Sequence, residues 1–493
     1  MKYISTRGSI FETSDSQAIL KGISDDGGLF VPSKIPSIPN GLEELLGYSY
    51  QDLAFYILKL YLEDFPEDGL KSAISLAYDN NFSSSAVTPL QKVKDVFFLE
   101  LFHGPTLAFK DVALSLLPRL LTLSSDIEGS CLTPLVLTAT SGDTGKAALH
   151  GFSSTEGIKI AVFYPENGVS PIQKLQMITQ EGSNAAVIGI LGNFDQAQRS
   201  VKTLLNDKDL QKKLLSKGYF FSSAKSINIG RLIPQIVYYF YSYLSLAREG
   251  EISIGDKINF AVPTGNFGDI LAGYYAKLMG LPIHKLICAS NENNVLYDFI
   301  NSGVYDARRE LKLTSSPSMD ILISSNLERL LFEISGRDSL VVKNLMDLLQ
   351  TQGFYEIPAN MKEGLSDFYG GYSQEKEAFN SISQLYGSKG YLMDTHTAVA
   401  YTVYEKYRND THDTTKTVIL STASPFKFAN ALCQALSIRL KDNTTFEAVD
   451  KLSDFTGLEI PSAIVELKAK TPVHNCSCLP EDMKKQLEQF LNL

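Results

Sequence analysis

Six short apolar runs, each closed by a Gly- or Ser-rich turn and followed by an amphipathic helical pattern, constrain this chain more than any other feature. They fall at 96–101, 135–139, 185–190, 259–262, 283–289 and 417–420. Strands separated by helices must cross over the sheet to pair again, so the pattern predicts an α/β protein with mostly parallel sheets. A chain of 493 residues exceeds what a single simple core holds, and roughly two to four lobes are expected. The turn-rich segments DDGGLFVP and PSKIPSIPNG, then a helical pattern over 50–62, set the first stretch apart as a cap ending near Ser83-Ser84-Ser85. We expect an N-terminal domain over 1–88, a large domain over 89–125 and 216–493, and a small α/β domain over 126–215.

In open α/β sheets, ligands collect at the carboxyl ends of strands, where helix N-termini point. Four turns there carry residues suited to chemistry. In FFLELFHGPTLAFKDVALSLLPRLL the turn 103–106 follows a strand, and Thr106 is a reasonable N-cap. Phe109, Val112, Ala113, Leu116, Leu117 and Leu120 then share one helical face. Lys110 falls in the first turn, where the macrodipole disfavours a cation and lowers the pKa of an amine that must act unprotonated. A solvated surface lysine is the other reading of that position.

The second turn, Ser141-Gly142-Asp143-Thr144-Gly145, separates a strand from a helix beginning near Lys146. Its glycines and small polar side chains leave amides and hydroxyls to hold an anion such as a carboxylate, or serve merely as an N-cap. The third, Thr264-Gly265-Asn266-Phe267-Gly268, opens a helix closed by Gly280 with Pro282 beyond it. Its glycines would let backbone amides approach a phosphate, though a tight turn without ligand has the same composition. It is neither a Walker A loop nor the dinucleotide fingerprint. Thr422 ends the fourth strand, and its hydroxyl would face the same crevice; strand propensity alone also favours threonine there.

A net charge of -10 argues against sequence-independent binding to nucleic acid. The longest apolar stretch, 232–247, contains Pro234, Gln235, Ser242 and Ser245. It is shorter than the ~20 residues of a membrane span and reads as a buried helix. Five scattered cysteines suit reduced thiols. No signal-peptide core is present in MKYISTRGSIFETSD. A cytoplasmic protein is expected, monomer or homodimer. His474, Cys476 and Cys478 lie close together, but their spacing fits no common structural zinc motif, so no metal is expected.

The segments FHGPTLAFKD, TATSGDTGKAA, PTGNFGDILAGYYAKLMGLP and STASPFKF resemble, in order, the motifs of the threonine synthase family, in the longer class of fungi and many bacteria. YISTRG with DDGGLFVP is similar to that class's N-terminal domain, and SINIGRLIPQIVYYFYSY to its central helix region. The likeness runs from about residue 2 to about residue 430. It implies a two-lobed type II pyridoxal-phosphate fold like the tryptophan synthase β subunit, with parallel sheets and an added N-terminal domain. Lys110 would then be the Schiff-base lysine. Gly265, Asn266, Phe267, Gly268 and Asp269 would hold the cofactor phosphate, and Thr422 would meet the pyridine nitrogen. Ser141, Asp143 and Thr144 would lie around the substrate.

The implied reaction turns O-phospho-L-homoserine and water into L-threonine and phosphate by γ-elimination and β-addition, the last step of threonine biosynthesis. The dianionic phosphate needs a cation; among Lys146, Lys225, Arg231 and Lys427, Arg231 before the buried helix is the first choice. Many relatives read Thr-Ala-His-Pro where this chain has Thr422-Ala423-Ser424-Pro425, so a role for that histidine is not expected here. A phospho-lyase releasing 2-oxobutyrate needs the same lysine and is the nearest rival. A non-catalytic ligand-binding protein on the same fold is the more distant one.

Overall fold

The computed structural model describes residues 1–8, 12–140, 142–153, 155–166, 169, 171–442 and 444–493. Two parallel sheets organise the chain. The larger has six strands in the order Phe368–Tyr372, Ile283–Ser290, Ile258–Pro263, Thr417–Ser421, Val96–Glu100 and Leu90–Val93. Neighbours are parallel except the last pair, a hairpin. Its central strands are apolar on both faces because each face meets a different core. Ile258, Phe260 and Val262 share one core with Tyr238 and Tyr239, whereas Ala261 joins Val399 and Val403 in another. Two-fold side-chain alternation thus sends successive residues to opposite layers of helices. The Ile229–Arg248 helix lies on the first face, with Tyr239 edge-on to Phe260 at 4.8 Å. The Thr395–Thr411 helix packs on the second.

The smaller sheet is wholly parallel, in the order Cys476–Cys478, Ala185–Ile190, Lys159–Pro165, Thr133–Ala139 and Tyr219–Ser222. This corrects the expected boundaries. Tyr219–Ser222 and Cys476–Cys478 form the two edges of the small sheet, although the sequence reading assigned both to the large domain. Each edge strand is short and pairs on one side only, so neither produces a long apolar run. Three further strands of these sheets, Leu90–Val93, Lys159–Pro165 and Phe368–Tyr372, were not among the six expected runs.

The chain's first residues form a three-stranded antiparallel sheet, followed by the Tyr50–Tyr61 and Glu67–Tyr78 helices. Ser49 and Asp52 close a capping box at the first of these, which packs against the Ile229–Arg248 helix. That long helix is the buried one expected from 232–247. No helix among the described residues is long and apolar enough to cross a membrane.

Candidate active site

Strands Ile258–Pro263, Thr417–Ser421 and Val96–Glu100 are consecutive neighbours in the large sheet, so their following turns lie side by side. The Thr133–Ala139 strand of the small sheet delivers the fourth turn opposite them. Lys110 and Asp143, from different sheets, meet across the gap at 3.5 Å.

The approach to Lys110 departs from expectation. Thr106 does not cap the helix; its N–H and its hydroxyl both donate to Asp111, at 2.8 and 2.5 Å. The helix begins at Lys110 and ends at Leu114. One turn of helix carries too small a dipole to lower a lysine's pKa appreciably. Burial does so instead. Lys110 is 8% exposed, and desolvation lowers its pKa, opposed by Asp143 and reinforced by the charges of Lys427 and Arg231. The surface-lysine reading is therefore set aside. Lys110 Nζ donates to Ser318 Oγ at 3.0 Å. The Phe109 N–H donates to the Thr422 carbonyl at 2.8 Å, and the Ser424 N–H to the Leu107 carbonyl at 3.0 Å. These bonds hold the Lys110 turn against the end of the Thr422 strand.

Asp143 begins the Asp143–Ser153 helix. Its carboxylate faces Lys427 Nζ at 2.7 Å, accepts from Gln173 Nε2 at 3.1 Å and from Ser318 Oγ at 3.3 Å. Burial would raise its pKa, but Lys427 and then Lys110 hold it well below the usual carboxylate range. Lys427 is the closer cation, and its ammonium also donates to the Thr106 carbonyl at 2.9 Å. With Lys427 neutralising Asp143, burial prevails at Lys110. The backbone of this turn is less free than the sequence suggests, because Thr140 Oγ1 accepts the N–H groups of Gly142 and Gly145, at 3.0 and 2.9 Å. Gly142 has φ 139°, and a β-carbon there would lie 2.4 Å from the Gln173 side chain. Thr144 is half-buried in the first helical turn; Ser141 lies outside the described residues.

The turn 264–268 is built the other way. Its carbonyls are tied from behind: Gly265 O accepts Ser324 Oγ at 2.8 Å, and Asn266 O accepts Asn326 Nδ2 at 3.0 Å and the Asn326 N–H at 3.1 Å. A trans peptide sets its N–H opposite its C=O, so the Asn266 and Phe267 amides face away from that anchor. Phe267 takes the left-handed conformation, φ 59°, just before the Gly268–Leu278 helix, curling the amides into an anion-binding concavity. Gly265 is packed so closely that a β-carbon would meet the Ser318 carbonyl at 2.7 Å. Asp269 lies in the first turn of that helix. Its side chain turns inward and accepts from Tyr238 and Tyr239 at 2.5 and 3.0 Å, with burial pushing its pKa up to about 7.

Ser318 and His396 were not anticipated. Segment 314–320 crosses between Lys110 and Gly265, and Asp320 anchors it by accepting from Asn291 and Asn293 at 2.7 and 3.0 Å. His396 Nε2 accepts the Ser318 N–H at 3.2 Å, so Nδ1 carries the proton and donates to Asp394 at 2.9 Å. Nothing near SSPSMD in sequence signals this, because its partners come from remote elements. Arg231 is 3% exposed; Nη1 donates to the Ala224 carbonyl at 3.2 Å, while buried Nε has no partner among the described residues. Burial lowers its pKa to about 10. Lys146 is held by Gln180 at 3.0 Å, and Lys225 is half-buried. His474 Nε2 donates to the Gln180 carbonyl at 2.8 Å, and Cys476 Sγ meets Gln486 at 3.0 Å.

Residues 2–78 match the family described as "Threonine synthase N terminus", 83–423 "Pyridoxal-phosphate dependent enzyme", and 397–471 "Threonine synthase, C-terminal". The chain is 39% identical to human "Threonine synthase-like 1" over 97% of its own length, and spans 66% of that protein. It is 40% identical to threonine synthase of Saccharomyces cerevisiae, covering 88% of this chain and 89% of that one. Its fold matches a PLP-bound threonine synthase from Brucella melitensis with TM-score 0.88 at 37% identity, covering 100% of this chain and 99% of that one.

Proposed function

This chain belongs to the threonine synthase family of pyridoxal-phosphate-dependent enzymes, and on that premise we propose that it converts O-phospho-L-homoserine and water to L-threonine and phosphate. The observation that carries the reading is the setting of Lys110: buried, turned toward Asp143 and Ser318, with its pKa lowered by desolvation while Lys427 occupies Asp143.

The residues fit the cofactor. The amide edge of 264–268 suits a phosphate, the absence of a side chain at Gly265 lets the turn pack against the Ser318 backbone, and Lys110 lies beyond Ser318 from that edge. Thr422, tied through its carbonyl to Phe109, is assigned to the ring nitrogen. Pyridoxal phosphate, when bound, supplies a conjugated ring that accepts the electron pair left at the substrate's α carbon. Lys110 Nζ would hold it, and the same amine, when free, would be the base placed to take the α proton and move protons along the β and γ carbons. Ser318 Oγ, within 3.0 Å of Nζ, keeps that base oriented. Arg231, whose buried Nε has no partner among the described residues, receives the substrate phosphate and stabilises it as it leaves the γ carbon. Ser141 and Thr144 are assigned to the amino-acid end of the substrate, and Asp143 to balancing the two lysines. The six-stranded lobe holds the cofactor and the five-stranded lobe closes the substrate side.

A second reading has a specific observation behind it: similar relatives include proteins named "Threonine synthase-like 1". A phospho-lyase would use the same residues and release 2-oxobutyrate. Purified protein given O-phospho-L-homoserine and pyridoxal phosphate decides between them. Threonine and phosphate in equal amounts support the synthase. Phosphate with 2-oxobutyrate and no threonine replaces it with the lyase, and absence of turnover overturns both.

A further inference from the structure

Arg329 is the largest fully buried side chain, at 0% exposure, yet no carboxylate among the described residues lies within ion-pair distance of it. Its neighbour Glu328 is committed to Arg7, at 2.9 and 2.7 Å, and to Thr6 at 2.5 Å. Three neutral oxygens solvate the guanidinium instead. Nε donates to the Phe30 carbonyl at 3.0 Å, Nη2 to the Ile227 carbonyl at 2.6 Å, and Nη1 to Asn326 Oδ1 at 2.6 Å. A buried cation without an anion is costly, and burial pulls its pKa down to about 10.

The third of these bonds leads to the 264–268 turn. Asn326, itself 0% exposed, accepts from Arg329 through Oδ1 and donates through Nδ2 to the Asn266 carbonyl at 3.0 Å. Each member of such a chain polarises the next. The positive charge draws electrons through the Asn326 amide and then through the Asn266–Phe267 peptide, whose N–H faces the anion-binding side.

We propose that Arg329 is a positioning residue for the cofactor phosphate: through Asn326 it both fixes and polarises the Asn266–Phe267 peptide, so that a phosphate bound there is the missing counter-charge of the buried guanidinium. The inference rests on the reading of 264–268 as the phosphate site. It also gives the N-terminal domain a part in cofactor binding, since the Phe30 carbonyl belongs to that domain's sheet.

The test is a comparison of two ligands, pyridoxal 5'-phosphate and pyridoxal, each titrated into full-length protein and followed by visible absorbance. Arg329→Met should weaken pyridoxal phosphate about tenfold or more while leaving pyridoxal within about threefold. Asn326→Asp is the variant for a protein that does not tolerate Arg329→Met, since its carboxylate pairs with Arg329 while the side-chain donor to Asn266 is lost and only the backbone N–H remains. It should reduce the same preference. Equal weakening of both ligands would show a purely structural role and overturn the proposal, as would an unchanged preference in either variant. Gly265→Val separates the two levels of inference. If it leaves the preference intact, the turn is not the phosphate site and the parent reading fails. If it abolishes the preference and the Arg329 and Asn326 variants do not, only the role of Arg329 is wrong.

Discussion

The turns at 140–145 and 264–268 have nearly the same composition, a strand, two glycines, small polar residues and a helix, and the fold uses them in opposite ways. At 264–268 Ser324 and Asn326 take the carbonyls from behind, leaving the amides for a ligand. At 140–145 Thr140 Oγ1 consumes two amides, and what reaches the site is the Asp143 side chain. In the function proposed above, one turn works through its backbone and the other through a carboxylate. Which edge of a turn faces a ligand is decided by groups outside the turn, not by its glycines.

The contrast predicts a graded response. The largest effect belongs to Lys427→Met, which strips Asp143 of its 2.7 Å partner. Breaking a buried pair costs about 3–5 kcal/mol, read as a loss in denaturant midpoint. Lys110, now the only nearby lysine for Asp143, should hold its proton more strongly, moving the rise in turnover to higher pH. A variant of unchanged stability and pH profile would remove Lys427 from the account.

Asp269 comes next, in cofactor-free protein. Its folded pKa stands near 7 against about 3.9 in an unfolded chain. Between those values the folded state keeps a proton that the unfolded state has lost. The stability it contributes is therefore full below about pH 4 and falls as pH rises toward 7, by at most about 4 kcal/mol. Stability curves at pH 5 and 8 should converge in Asp269→Asn; an undiminished pH slope would place the effect elsewhere.

Thr140→Val frees the Gly142 and Gly145 amides in a buried turn and should cost about 1–3 kcal/mol in chemical denaturation. If stability holds, those amides have another partner and the contrast between the turns weakens. Smallest is Asn266→Ala. Its side chain is exposed and accepts a single solvent-facing bond, from Ser325 Oγ at 3.1 Å, so stability and cofactor affinity should change by less than about 0.5 kcal/mol. A large loss of affinity would mean that this turn also works through a side chain.

Four of the six strands of the large sheet were legible because parallel strands buried on both faces are written as apolar runs, as in Val418-Ile419-Leu420 of Thr417–Ser421. Lys110 was legible as a position, but its cause was not. The short Lys110–Leu114 helix cannot supply the field that the sequence suggested, and burial, a tertiary property, replaces it. Thr106 looked like a cap because it ends the turn before a helical pattern, but Asp111, five residues on, is a competing acceptor that takes its hydroxyl. The groups the sequence did not reveal are joined only in space. Ser318 and Asp143 are 175 positions apart, and Arg329 reaches Phe30 across 299. The edge strand Cys476–Cys478 carries no strand signal of its own and exists because Ala185–Ile190 offers it an open edge.

The central claim is that Lys110 is the lysine that carries the cofactor. Reduction of the pyridoxal-phosphate-loaded protein with borohydride, followed by peptide mapping, tests it directly. A pyridoxyl group on Lys110 is the predicted result. The same label on Lys427, Lys146 or another lysine, with Lys110 unmodified, would contradict it.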